Sequence, residues 1–186
     1  MSFASGTGGI AAFANAVTTL ANNNVKVIVD DLVYMNSPWF QDGVITAAIN
    51  DAVLNRGAAY FSAAGNDAHN SYESAFRPST FAGFGGELHD FDPSAGTERV
   101  LSSVLIPSGA TFVIFMQWDE PALSACVGCP GSQSDIDIYF VDPGSGTIIG
   151  TPGIDPNIGG DPFEAASFTN SIWRSEERRV GKECRS

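Results

Sequence analysis

Asn66 is the side chain with the clearest chemical use. It follows Ala63-Ala64-Gly65, where a glycine lets the chain turn sharply at a strand end. A carboxamide there is a neutral donor suited to negative charge developing on an acyl oxygen. A Gly-Asn pair also serves as an ordinary turn. Asp30 and Asp31 are adjacent at another strand end, so their side chains leave opposite faces of a sheet and do not form a general acid–base pair. Capping of local backbone, exposure to solvent, and a substrate-cleft or cation-binding role all fit one of them. His69 and His89 are the only imidazoles, set in Asp67-Ala68-His69-Asn70 and Glu87-Leu88-His89-Asp90. A catalytic imidazole needs a nucleophile in reach; none is evident in sequence, and both read as loop histidines exposed to water. His89 with Asp90 and Asp92 could contribute to a cation site, but no repeated ligand spacing accompanies them.

Cys126 and Cys129 lie in Cys-Val-Gly-Cys within a loop. A zinc site would want a second pair, and a thioredoxin-like site would open a helix where Pro130 and Gly131 continue a loop. A small local disulfide in an oxidising compartment is the preferred reading, with free thiols and a metal or redox role as alternatives. Tyr34, Trp39 and Phe40 flank Pro38. They form either an aromatic wall for an extended ligand or packing over a sheet edge.

The elements that must position these groups are legible in part. Ile10, Phe13, Val17 and Leu20 recur at steps of three and four, which predicts an amphipathic helix over residues 8–22. Val25 to Leu32 (VKVIVDDL) reads as a strand buried on both faces. Asp42 to Arg56 sets Ile45, Ile49 and Val53 on one helical face, with Gly57 as its C-cap. Ala58 to Ala64 is a second strand. Strand, helix, strand is the order of a parallel crossover unit, so residues 1–72 read as a slice of a three-layer α/β domain whose functional groups sit beyond the strand C-termini.

After a linker at 73–80, short segments separated by Gly, Pro and Asp predict an antiparallel β-sandwich over 81–173. Five strands are discernible: within Val100–Ile106, Ala110–Trp118, Ile136–Val141, Thr147–Gly150 and Phe163–Thr169. That is few for a closed sandwich, so this half reads as truncated. In Asp135 to Val141, Asp135, Asp137 and Tyr139 alternate with Ile136, Ile138 and Phe140, which predicts one wet and one buried face.

The 186 residues are 44% hydrophobic and 16% charged, enough for a sizeable core, and 9 basic against 21 acidic side chains give a formal charge of -12. That balance argues against a nucleic-acid backbone or an anionic membrane as partner. No apolar run reaches the roughly 20 residues of a membrane-spanning helix, and no secretory signal pattern opens the chain. The last thirteen residues, 174–186 (RSEERRVGKECRS), hold five of the nine basic residues; the rest carry a formal charge of -14. This tail has almost no apolar face and resembles a translated sequencing-adapter or vector read-through, so it reads as non-native and outside the core, with a solvated native terminus as the alternative.

Val27 to Asn36 (VIVDDLVYMN), Trp39-Phe40-Gln41-Asp42-Gly43 and above all Tyr60 to Asp67 (YFSAAGND) resemble bacterial subtilisin-like serine peptidases. The likeness is to large secreted members with a jelly-roll-type β-sandwich inserted between the oxyanion-asparagine and catalytic-serine regions. The resemblance implies a partial subtilisin-like α/β core followed by a partial sandwich, a polypeptide substrate, and a secreted or cell-surface bacterial location. Asn66 would be the side-chain oxyanion donor, and Asp31, Leu32 and Val33 would pair with substrate and wall its pocket. No segment resembles the catalytic-aspartate strand, the catalytic-histidine helix or the Gly-Thr-Ser that opens the serine helix. The chain therefore reads as an inert internal piece whose partners are the missing flanks of the same polypeptide. No cofactor or metal is implied. Calcium stays open for the aspartate-rich half, as does the competing reading of a surface binding or spacer module.

Overall fold

A computed structural model describes residues 1–67, 70–92, 94, 96–171 and 176–185, with backbone alone for Ala82 and for 176–185. The chain divides into two compact units. One is Met1–Glu73 with Ser124–Val127, the other Ser74–Leu123 with Gly128–Ser186.

In the first unit the three-four spacing becomes α1 (Ile10–Asn22), which buries Phe13, Ala14, Ala16, Val17 and Ala21. Strand β1 (Val27–Asp30) follows, then α2 (Val44–Asn50), which widens into a π-helical turn at Asp51–Asn55. Gly57 closes it with φ 67°, a left-handed conformation that a Cβ disfavours. The Ala58 N–H reaches back to the Ala52 carbonyl at 3.0 Å, one residue further than at a regular helix end because the last turn is wide. Strand β2 (Ala59–Ser62) then pairs parallel with β1, Val27 opposite Ala59 and Asp30 opposite Ser62.

Phe13, Val17, Ala21, Ile28, Ala52 and Ala58 form the core, with Ile45, Ile49 and Tyr60 packed against it. The sequence reading of β1 as buried on both faces is corrected here. Ile28 is 3% exposed, whereas Val27 and Val29 are 57% and 71% exposed and Phe61 is 59% exposed. Side chains alternate along a strand, and the helical core takes only the Ile28 side.

Among the described residues, the second unit has eight strands. They are β3 (Pro78–Gly83), β4 (Gly86–His89), β5 (Ser102–Ile106), β6 (Thr111–Gln117), β7 (Asp135–Val141), β8 (Ile148–Gly153), β9 (Phe163–Thr169) and β10 (Glu176–Arg185). The sequence pattern specifies five of these, β5 to β9, and passes over β3, β4 and β10. The strand β3 begins inside the stretch read as linker. It meets β4 through Phe84-Gly85, a two-residue hairpin turn with positive φ at both positions.

The charged tail is not outside the fold: β10 pairs antiparallel with β7, with β5 and, at Glu183 and Cys184, with β4. A ladder is built from backbone groups, so a segment without an apolar face can complete one. The antiparallel order continues from β7 through β8 to β9 and β6.

The core of this unit joins Ile106 of β5, Ile138 and Phe140 of β7, and Ala166 of β9, with Phe112 and Ile114 of β6 against them. The Phe140 ring lies 6.1 Å from Phe112, edge-on, and 6.0 Å from Phe168. The predicted wet face of β7 is also corrected: Asp137 and Tyr139 are 2% and 5% exposed. The Tyr139 hydroxyl donates to Asp137 Oδ2 at 2.7 Å, and Phe84 stacks on the Tyr139 ring at 5.0 Å. A polar pair that satisfies itself under an aromatic lid can be buried where isolated polar groups could not.

Candidate functional site

The C-terminal ends of β1 and β2 gather the groups singled out in the first unit. Asp30 closes β1, and its Oδ1 accepts from the Ser62 hydroxyl at 3.0 Å and from the Leu32 N–H at 3.4 Å. The Ala63 N–H donates to the Asp30 carbonyl at 3.2 Å, so the parallel ladder runs one step past β2. Asp30 therefore ties the two strand ends together and caps the chain that leaves β1. Its Oδ2 is buried without a hydrogen-bond partner, as is the Tyr60 hydroxyl. Burial, reinforced by the Asp30 carboxyl, pushes the Tyr60 phenol well above its ordinary range.

Asp31, Leu32 and Val33 leave β1 as irregular, exposed chain. Asp31 and Leu32 line a cavity of about 320 Å³ with Gly6, Phe13, Ile28 and Tyr60, and Val33 is not among its lining residues. Tyr34 is half-buried, 5.5 Å from the Phe13 ring, and its hydroxyl donates to the Gly6 carbonyl. Trp39 and Phe40 are about half exposed.

Asn66 lies in an exposed bend beyond the C-terminal end of β2, after Gly65 at φ 75°. It does not line the cavity beside Asp31. Its position leaves the carboxamide free of the core, where a ligand can approach it. His69 falls outside the described residues.

His89 corrects the reading as an exposed loop residue. It ends β4 at 0% exposure. Its Nδ1 accepts from the Arg77 N–H at 3.0 Å, and its ring packs 5.4 Å from Phe76 and 4.8 Å from Phe91. This is a buried imidazole whose Nδ1 is held by backbone.

Asp90 and Asp92 are occupied in shaping the adjoining loop. Asp90 Oδ1 accepts from the Arg99 and Asp92 N–H groups at 2.8 and 2.9 Å, and Asp92 accepts from the Ser94 N–H at 2.9 Å and the Thr97 hydroxyl at 3.1 Å. Those backbone donors, Arg99 for Asp90 and Ser94 for Asp92, hold both carboxyls below the usual range. Among the described residues no group of three His, Cys, Asp or Glu is arranged to hold a metal ion. Cys126 and Cys129 are joined in a disulfide.

Sequence reasoning passed over two carboxylates of the second unit. Glu120 collects five hydrogen bonds: from Trp118 Nε1 at 3.1 Å, the Ser132 hydroxyl at 2.6 Å, the Gln133 and Ser134 N–H groups at 2.8 and 2.9 Å, and the Ser134 hydroxyl at 2.7 Å. Partial burial opposes ionisation, but these donors outweigh it and hold the carboxyl down at about 2. Glu164 is 1% exposed, and burial pushes it up to about 7. Linear spacing carries no signal for either, because the partners come from other segments. No family model, curated protein or solved structure matches the chain.

Proposed function

We propose that the first unit is part of a three-layer, subtilisin-like peptidase core and that Asn66 is its oxyanion donor. The observation that carries this reading is the parallel β1–α2–β2 crossover with one apolar face bare. Val27, Val29 and Phe61 stand exposed on a two-stranded sheet whose other side is packed by helices. Parallel sheets are stable when both faces are covered and neighbouring strands complete them. Further strands and a second helical layer, from flanking segments of the same polypeptide, supply that cover.

In the completed enzyme, a serine from a downstream segment attacks the peptide carbonyl, activated by a histidine and an aspartate from upstream segments. The Asn66 carboxamide donates to the tetrahedral oxygen, and an acyl-enzyme forms and is hydrolysed. Asp31, Leu32 and Val33, as irregular chain leaving β1, flank the extended substrate. An oxyanion donor contributes about 3 kcal/mol, and only once a nucleophile has made the charge it stabilises. The chain alone is accordingly inert. Incubating it with a broad peptide pool and a serine-directed phosphonylating probe tests this: no turnover and no labelling are expected, and stoichiometric labelling of one serine refutes it.

The second unit is read as the inserted sandwich. The support is a core drawn from β5, β6, β7 and β9, in which the Phe140 ring meets both Phe112 and Phe168. That this unit has a core of its own also favours a second reading, a surface binding or spacer module. A parent gene with no serine motif downstream of the sandwich would select it.

A further inference from the structure

Among the described residues, β10 alone joins β3, β4 and β5 to β7 and the strands beyond it. Its backbone is paired on both sides. Arg179–Arg185 lie antiparallel to Asp135–Val141 of β7, and Glu176–Val180 lie antiparallel to Ser102–Ile106 of β5. It is a central strand, not an edge.

Residues opposite each other in an antiparallel ladder share a face, and so do alternate residues along one strand. Against β7, position 180 is level with Phe140 and position 182 with Ile138. Against β5, position 176 is level with Ile106 and position 178 with Val104. The two registers agree, because 176, 178, 180 and 182 form one alternating set. Ile106, Ile138 and Phe140 are 1%, 4% and 0% exposed and belong, with Val104, to one apolar core. The strands β5 and β7 flank β10 on opposite sides, so that core passes across this face of β10. A strand made for the position carries apolar residues at alternate steps. The sequence supplies Glu176, Arg178, Val180, Lys182 and Cys184, of which three are charged. The backbone ladder fits the slot and the residue pattern does not.

The end of β9 indicates what the slot is for. Asn170, directly after β9, is 0% exposed, and its Nδ2 donates to the Ile106 carbonyl at 2.9 Å. Its N–H donates to the Ala110 carbonyl at 2.9 Å, and its carbonyl accepts from the Gly109 N–H at 2.7 Å. Three hydrogen bonds thus fix the chain leaving β9 beside Ile106, the residue of β5 that stands opposite the first position of β10. Chain that continues from Asn170 is delivered to the mouth of the slot.

We infer that the space between β5 and β7 is an acceptor site for one extended strand, apolar at the places of 176, 178, 180 and 182, and that its occupant in the parent polypeptide is the native chain following Trp173. Residues 176–185 hold that place through backbone pairing alone. The inference concerns the second unit only, so its failure leaves the role of Asn66 untouched.

The test compares thermal midpoints of the full chain, an Arg178→Val/Lys182→Val variant and an Arg179→Val/Arg185→Val variant. Each variant loses two positive charges and gains two valines, but only the first puts them level with Val104 and Ile138. The first is expected to raise the midpoint by about 5 °C or more, and the second to change it by less than about 2 °C. A first variant that gives no rise, or a rise no larger than the second, overturns the inference. If a variant aggregates, amide hydrogen exchange of the unaltered chain decides. There β10 is expected to exchange faster than β9; equal protection of the two strands overturns the inference, because residues 176–185 would then fit the slot as they are.

Discussion

Glu120→Gln tests whether one carboxylate organises an entire loop of the second unit. Five donated hydrogen bonds converge on Glu120, three of them from Ser132 and Ser134. They bring the group from the ordinary glutamate value of 4.5 down to about 2. At 1.36 kcal/mol per unit that difference has a ceiling of about 3 kcal/mol of folding free energy, and solvent screening of this partly exposed carboxylate reduces it to about 1–2 kcal/mol.

The folded value is depressed, so the contribution is present above about 4.5 and is lost as pH falls toward about 2. Glutamine keeps one acceptor oxygen and turns an N–H₂ toward groups that themselves donate. The variant should be destabilised by about 1–2 kcal/mol at neutral pH, a thermal shift of about 5 °C for a domain of this size. The assay is urea unfolding followed by tryptophan fluorescence across a pH series, since Trp118 is one of the donors. Any titration of Glu164 is common to both proteins and cancels in their difference. The two curves should converge as pH approaches 2. A difference that stays constant with pH refutes the reasoning, because the loss would then come from packing rather than from the charge.

Four further outcomes follow from the structure. Val29→Thr on the bare face of β1 should change stability by less than about 0.5 kcal/mol, whereas Ile28→Ala should cost about 2–4 kcal/mol; chemical denaturation of both variants checks the contrast. Phe140→Ala should cost about 3–5 kcal/mol in the same assay, since its ring joins Phe112 and Phe168. Mass mapping after treatment with a thiol reagent should find Cys126 and Cys129 unlabelled until a reductant is added. Truncation after Trp173 should remove β10, leave β5 without its strand partner and expose the edge of β7, giving self-association visible by light scattering; a monomeric, cooperatively folding product contradicts that.

The legible parts of this fold are those that local pattern determines. The spacing of Phe13 and Val17 specifies a helix with one buried stripe, and β-branched Val27-Ile28-Val29 specifies a strand. Gly57 marks a helix end because only its backbone conformation closes that turn without strain. What pattern could not say is whether a strand's second face has a cover. Val27 and Val29 were read as buried and are bare, while Asp137 and Tyr139 were read as wet and are buried under Phe84. His89 misled because Gly and Asp surround it; the usable signal was Phe84-Gly85-Gly86, a hairpin turn that makes the next residues a strand. Glu120 and Glu164 were invisible because Ser132, Ser134, Asn157 and Asp155 reach them only through the folded chain. Asn66 was legible as a residue beyond a strand end, where the structure places it in an exposed bend.

The most direct measurement is the DNA sequence of the native locus on both sides of this reading frame. The account predicts segments for a catalytic aspartate and histidine upstream of Met1 and a Gly-Thr-Ser segment downstream of the sandwich. In the assembled enzyme, Asn66→Ala should then lower kcat by about 10²–10³ with little change in KM. An intact gene lacking the histidine and serine segments, or an assembled peptidase indifferent to Asn66→Ala, would contradict it.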